Sequence, residues 1–305
     1  MDFLPKIITI VGPTASGKTG FSIWLAKKLE KSGLNTEIIS ADSRQVYTGL
    51  DIGTGKITKE EMNGIPHHML DVCDPKDIYS VADFVRDASN VIKEVLDRGN
   101  IPIIVGGTGF YIDTLVRGIS LPNVPKNEEL REELESKSKE ELFEILLKFD
   151  VNRAQDIDKD NKVRLIRAIE ISKTLGNVPE IKVSTKYNSL FIGINPGDEI
   201  LQKNIHTRLL QRLNDGMVTE AENLHTTGLS YERMRELGLE YNFLADYLEK
   251  KKTYEEFVSL LNTAIWQYAR RQKTWFKRNQ DILWINPKNE KEIEEIKNKV
   301  LGFLK

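Results

Sequence analysis

Ile7-Ile8-Thr9-Ile10-Val11-Gly12-Pro13-Thr14-Ala15-Ser16-Gly17-Lys18-Thr19 decides the architecture of this chain. A β-branched run enters a glycine-rich turn that fits G-x-x-x-x-G-K-[ST]. A helical pattern follows, with Phe21, Trp24, Leu25 and Leu29 on one face. Strand, turn and helix in that order let several backbone N–H groups converge on phosphate oxygens, with the helix N-terminus behind them. Lys18 can neutralise phosphate charge, and the Thr19 hydroxyl can ligate Mg²⁺. The expected polyphosphate cradle is Gly12, Pro13, Thr14, Ala15, Ser16, Gly17, Lys18 and Thr19.

Around this unit, short β-branched runs alternate with amphipathic helical patterns through residue 118, the signature of a parallel sheet built from βαβ units. Strands are predicted at Ile7–Val11, Thr36–Ser40 and Ile101–Val105, with Gly33 closing the first helix. Ser80 and Asp83 form a capping box for a helix whose inner face is Val81, Phe84, Val85, Ala88, Val91, Ile92 and Val95, and Gly99 ends it. From Leu121 to about Lys186 the texture changes to helices rich in Glu, Lys and Arg, entered at Pro122 and Pro125 and broken by Gly176 and Pro179. Strand character returns at Leu190–Ile194 and Ile282–Ile285, with helices between and after. The expectation is a P-loop α/β core made of residues 1–120 and 189–305, carrying a helical insertion at 121–188.

Composition removes several classes. The 305 residues hold 40% apolar and 30% charged side chains, enough for a core and against general disorder. A single cysteine, Cys73, excludes an internal disulfide framework or a cysteine-rich zinc site and suits a reducing cytosol. The N-terminal MDFLPKIITIVG leads straight into the glycine-rich turn and reads as a strand rather than a secretion signal. No apolar run approaches the ~18 residues of a membrane span, so a soluble cytoplasmic chain is expected. The net charge of -2 decides nothing about nucleic acid, because it can hide a local basic face. His67-His68 lacks the cysteine or carboxylate companions of a zinc site, so a hydrogen-bonding role is expected. The Glu-rich stretch 128–144 reads as an amphipathic helical face.

An acidic residue follows the second strand, in Ile38-Ile39-Ser40-Ala41-Asp42-Ser43-Arg44, whereas the third strand runs into Gly106-Gly107-Thr108-Gly109. Motors and GTPases place a Walker-B acid after a further apolar strand; this chain does not. Ligands of open α/β sheets bind off the carboxyl ends of the strands, so Asp42 should face the same crevice as the P-loop. A carboxylate there can take a hydrogen bond or a proton from an acceptor nucleophile. On residues alone this is phosphoryl or diphosphate chemistry, and a nucleoside kinase would satisfy it.

The segments GPTASGKT (12–19), ISADSRQVYTGLDIGTGK (39–56), PHHMLDV (66–72), YSVADF (79–84), PIIVGGTGFY (102–111), VRLIRAIEI (163–171) and RRQKTWF (270–276) together resemble the tRNA dimethylallyltransferase (tRNA isopentenyltransferase) family over nearly the whole chain. The resemblance implies transfer of a dimethylallyl group from dimethylallyl diphosphate to N6 of adenosine 37, beside the tRNA anticodon. The P-loop would then hold the diphosphate leaving group, with Thr19 on Mg²⁺. It implies Asp42 as the acid that bonds the N6 amine and serves as its base, and Arg212 as the catalytic arginine near the diphosphate. Arg208, one turn away at i,i+4, is the alternative. Asp42, Ser43, Arg44, Gln45, Thr108, Arg131 and the run Lys162, Val163, Arg164, Leu165, Ile166 and Arg167 match tRNA-contacting positions. Where the family pattern has Gly-Tyr followed by Arg or Lys, this chain has Gly238-Leu239-Glu240 and loses a cation.

Independent support for RNA comes from Phe257–Gln280, which has no acidic residue but carries Arg270, Arg271, Lys273, Lys277 and Arg278 among Trp266, Tyr268, Trp275 and Phe276. That mixture suits phosphate contacts and stacking on unpaired bases, with the tryptophans expected mostly in the core. A free adenine-nucleotide prenyltransferase is the main alternative to the tRNA enzyme, and the insertion and basic helix argue against so small an acceptor. The expected partners are tRNA through its anticodon stem-loop and dimethylallyl diphosphate, with no membrane, and the chain is expected to act as a monomer.

Overall fold

The computed structural model describes residues 4–180 and 182–305. In chain order the elements are β1 (Lys6–Val11), α1 (Lys18–Glu30), β2 (Thr36–Ser40), β3 (His67–His68), α2 (Val81–Asp97), β4 (Ile101–Gly106) and α3 (Gly109–Val116). Next come α4 (Glu128–Glu135), α5 (Lys139–Phe149), α6 (Val151–Asp156), α7 (Lys162–Leu175) and β5 (Asn188–Ile194). The rest is α8 (Asp198–Asn214), α9 (Met217–Thr226), α10 (Tyr231–Leu237), α11 (Leu239–Leu248), α12 (Tyr254–Phe276), β6 (Leu283–Ile285) and α13 (Glu290–Leu304).

The strands form one parallel sheet ordered β3-β2-β4-β1-β5-β6. Alternation along β1 explains why both faces are covered. Ile8 and Ile10 pack with α1 residues Phe21, Leu25 and Leu29 and with Ile296 and Val300 of α13. Ile7 and Val11 pack on the other face with Phe84, Ala88 and Ile92 of α2 and Ile112 and Leu115 of α3. Trp24 is half-buried at the edge of the first layer. The capping box at Ser80 is formed, with the Asp83 N–H donating to Ser80 Oγ at 3.2 Å and the Ser80 N–H to Asp83 Oδ2 at 3.0 Å. A third layer joins α8 to α12 around Leu201, Leu209, Met217, Tyr241, Phe257 and Leu261, and it takes in Ala15 of the P-loop and Val46, Tyr47 and Leu50.

β3 lies outside the sequence expectation. Two histidines pair with Ile38 and Ile39 at the sheet edge, too short a strand to show a period. The helix over Phe21–Leu29 ends at Glu30, and Gly33 (φ +79°) turns the chain back so that the Leu34 N–H reaches Leu29 O at 3.0 Å.

The chain divides into two compact units, residues 1–117 with 185–305, and residues 118–184. The smaller unit has its own core, built from Leu134, Leu142, Leu146, Ala154, Leu165, Ile166 and Ile169. Its ends meet where the Ser184 N–H donates to Gly118 O and the Ser120 N–H to Lys182 O, at 3.1 and 2.9 Å.

Candidate functional site

At the carboxyl ends of β1, β2 and β4 the larger unit encloses a cavity of about 290 Å³. Its wall includes Thr14, Ala15, Lys18 and Thr19 from the P-loop, Asp42, Ser43, Arg44 and Gln45 after β2, and Arg208 and Arg212 from α8. Sequence-predicted groups almost 200 residues apart therefore line one space. No helix among the described residues is long and apolar enough to cross a membrane.

The P-loop is held open by its own backbone and by a distant helix. Gly12 (φ +152°) leaves β1 so close to β5 that a Cβ there would meet Ile194 O at 2.5 Å, which only glycine allows. Lys18 Nζ donates to Pro13 O at 2.7 Å and folds back over the loop. Gln272 of α12 accepts from the Thr14 N–H at 2.8 Å and donates from Nε2 to Gly107 O at 2.9 Å, tying the P-loop to the loop after β4. Gln272 lies within RRQKTWF (270–276), but its charged neighbours Arg271 and Lys273 draw the reading, while Gln272 itself is buried. The Ser16 hydroxyl is buried without a partner.

The enclosing walls lower the Lys18 pKa to about 7; Asp42 opposes that shift and Arg208 adds to it. The lysine is therefore poised to gain its proton when an anion enters. Asp42 begins a tight turn in which its Oδ1 accepts the Arg44 and Gln45 N–H groups at 2.9 and 3.3 Å. Asp42 also lines the cavity. Thr108 Oγ1 accepts the Ser43 N–H at 3.0 Å, which fixes the Asp42 loop to Gly106-Gly107-Thr108-Gly109.

Arg212 donates from Nη1 to Gly53 O at 3.1 Å and to Glu240 Oε1 at 3.2 Å, and from Nη2 to Thr54 O at 3.4 Å. Arg208 lies beside it over Gly55, where an added Cβ would meet Arg212 Nη2 at 2.2 Å and Arg208 Nη2 at 3.0 Å. Both arginines line the cavity. Burial raises the Glu240 carboxyl above its ordinary pKa, against the pull of Arg212.

His67 and His68 point to opposite sides of β3. His67 lines the cavity and bonds Ile65 O through Nδ1 at 2.8 Å, and burial lowers its pKa. His68 Nε2 meets Glu37 Oε2 at 2.6 Å, in a network that Arg98 and Asn100 complete. No group of three or more His, Cys, Asp or Glu side chains able to hold a metal occurs among the described residues.

Several expected RNA contacts are committed elsewhere. Leu165 and Ile166 are core residues of the smaller unit and present no side chain to a ligand, a role their apolar spacing with Ala168 and Ile169 already implied. Arg131 and Arg167 clamp the buried Glu170, at 2.7 and 3.1 Å. Lys162 pairs with Glu135 at 3.4 Å and Arg164 with Asp158 at 3.8 Å, and Val163 is exposed. In α12 and the turn that follows it, Arg270, Lys277 and Arg278 are exposed, Lys273 pairs with Asp198 at 2.6 Å, and Arg271 lines the cavity. Trp266 and Trp275 are half-buried against the two adjoining cores.

The parallel sheet, the glycine-rich loop after β1 and the acid after β2 define the class: this is a P-loop α/β protein. The sequence profile of the IPP transferases matches residues 45–279. The tRNA dimethylallyltransferase 2 of Treponema denticola is 46% identical over 89% of this chain and 91% of its own, and the tRNA dimethylallyltransferase of Halalkalibacterium halodurans is 38% identical over 98% of each. The crystal structure of the Bacillus halodurans tRNA isopentenylpyrophosphate transferase covers 98% of this chain and 96% of its own with a TM-score of 0.74 at 38% identity. A eukaryotic dimethylallyltransferase captured acting on tRNA gives 0.80 at 26% identity, over 98% of this chain and 80% of its own. The chain belongs to the IPP transferase family.

Proposed function

We propose that this chain transfers a dimethylallyl group from dimethylallyl diphosphate to N6 of adenosine 37 in the tRNA anticodon loop. One observation carries the reading: the P-loop lysine, Asp42 and two arginines open into one cavity of about 290 Å³. The N6 lone pair attacks C1 of the donor, the C1–O bond breaks, and diphosphate departs with the electron pair. Asp42 accepts the N6 proton. The anionic leaving group is met by the P-loop, Lys18, Arg208 and Arg212, which line that space before charge develops.

Mg²⁺ fits this chain as an ion shared with the substrate. The cavity offers the Thr19 hydroxyl, which would hold the ion, and no cluster of three or more His, Cys, Asp or Glu able to hold a metal occurs among the described residues, which suits a cation that keeps several of its waters. When bound it would neutralise charge on the diphosphate. Ile38, Ile57, Leu70, Val105, Leu237 and Leu239 give the same cavity an apolar lining for a five-carbon group.

On the acceptor side Ser43, Arg44, Gln45 and Thr108 surround Asp42. The exposed Arg270, Lys277 and Arg278 with Arg271 of α12, and Lys162, Val163 and Arg164 of the smaller unit, supply surface for the RNA. The enzyme works as a cytoplasmic monomer beside its tRNA. The deciding assay offers labelled dimethylallyl diphosphate to unmodified tRNA and to AMP, with ATP plus nucleoside as a separate arm. Label is expected in tRNA only; label in AMP alone, or phosphoryl transfer from ATP, would replace this function with a nucleotide prenyltransferase or a kinase.

A further inference from the structure

Arg212 is held by a closed circuit of hydrogen bonds that begins and ends on α11. Glu240 Oε1 accepts from Arg212 Nη1 at 3.2 Å, and the same nitrogen donates to Gly53 O at 3.1 Å. The loop carrying Gly53 is in turn gripped by one carboxylate of α9. Glu220 accepts the N–H groups of Asp51, Ile52 and Gly53 at 3.0, 2.6 and 2.9 Å. The Tyr241 hydroxyl, next in sequence to Glu240 and fully buried, donates to Glu220 Oε1 at 2.7 Å and closes the ring. There is no slack in it: a Cβ on Gly53 would meet Tyr241 Oη at 2.7 Å, and one on Gly55 would meet Arg212 Nη2 at 2.2 Å.

The physics of the arrangement is one of competing anions. An arginine waiting at an anion site with no counter-charge would be free to swing towards any carboxylate. Here a buried carboxylate and two carbonyls hold one edge of the guanidinium, and a planar fork held at one edge can present its remaining N–H groups in a fixed direction. Glu220 contributes by satisfying three loop N–H groups, of which those of Ile52 and Gly53 are partly buried.

We propose that Glu220, Tyr241 and Glu240 are positioning residues which act on prenyl transfer through Arg212, by locking the 51–55 loop and the guanidinium into one unit. The proposal rests on the reading that Arg212 meets the diphosphate. Misplacing a catalytic group by about 1 Å costs on the order of 10²-fold in rate. Tyr241→Phe, Glu220→Gln and Glu240→Gln should therefore each lower single-turnover prenyl transfer to tRNA by about 10- to 10²-fold, while the KM for tRNA stays near wild type.

The test is a double-mutant cycle on the full-length enzyme. Arg212→Ala alone should be slow, and adding Glu240→Gln or Tyr241→Phe to it should cause no further loss, because the object being positioned is gone. Losses that multiply in the double variants would overturn the proposal while leaving the role of Arg212 intact. An Arg212→Ala enzyme with wild-type single-turnover rates would instead sink the reading of Arg212 itself. Glu240→Asp, which keeps the charge but shortens the reach, separates charge from geometry: partial recovery relative to Glu240→Ala supports positioning, and equal loss overturns it. Tyr241→Phe removes one hydroxyl and no packing volume, so it keeps the test decisive should Glu220→Gln fail to fold.

Discussion

Lys18 and Asp42 line the same cavity, and their charges act on one another. A lysine whose pKa is lowered to about 7 is largely neutral at pH 8, whereas in the unfolded chain it stays protonated to its ordinary value of 10.5. Its charge is therefore disfavoured in the free enzyme; that cost is fully present below about pH 7 and is relieved as pH rises from 7 to 10.5. An arriving diphosphate reverses the bias and returns the proton. Calorimetry at pH 8 in buffers of different ionisation enthalpy should show uptake of about one proton per donor bound, absent in Lys18→Met, and affinity should fall as pH rises above 7. Equal proton uptake by the two proteins would mean that Lys18 keeps its charge in the empty cavity. Asp42→Ala is expected to slow the single-turnover step by roughly 10²–10⁴, the range for a positioned general base, with donor affinity little changed. Both groups were legible in the sequence because each belongs to a contiguous motif after a strand. The contacts of Gln272, Glu220 and Glu240 were not, because each is made across the tertiary fold: 258 residues separate Gln272 from Thr14, and 167 separate Glu220 from Gly53.

At the scale of elements, the packing of α3 against α12 aligns the site. Gly109 starts α3 against the indole of Trp275, where a Cβ would lie 2.2 Å from Cδ1. Trp275 is pinned by its Nε1–H donating to Asp113 Oδ2 at 2.8 Å. Relief of that clash would have to move α12, and Gln272 moves with it, so Gly109→Ala should disturb the P-loop without touching it. The expected result is a loss of about 1–3 kcal/mol in stability, the usual cost of overpacking, together with weaker donor binding. A variant that is destabilised yet binds donor normally would show that Gln272 does not couple α12 to the P-loop. The sheet and its flanking helices were readable from period and caps. β3 was not, since two residues carry no periodicity, and α7 was read for its charges although its apolar spacing already placed Leu165 and Ile166 inside.

For the whole molecule, the question is which cations meet the tRNA, and their existing partners decide what each can contribute. A lysine or arginine already paired with a carboxylate must give up that partner, or share it, before it neutralises a phosphate. Arg131 and Arg167 hold Glu170 in the core of the smaller unit, so their loss should damage that unit rather than the RNA interface. Lys162 and Arg164 are paired at its surface and can contribute only in part. Arg270, Lys277 and Arg278 are exposed along a segment from Phe257 to Gln280 that contains no acid. Removing these three should therefore lower tRNA affinity and reduce the slope of log affinity against log salt by up to about 0.7–0.9 for each phosphate that is no longer neutralised. Lys162→Ala with Arg164→Ala should change the slope less than removal of those three. Donor affinity should stay constant in both variants, whereas Arg271→Ala is expected to alter donor and tRNA binding together, because Arg271 lines the cavity. The measurement is tRNA affinity across a salt series for wild type and the two multi-site variants. A slope unchanged by removing Arg270, Lys277 and Arg278 would place the phosphate path on another face of the enzyme and leave the acid-free segment 257–280 as a solvated surface.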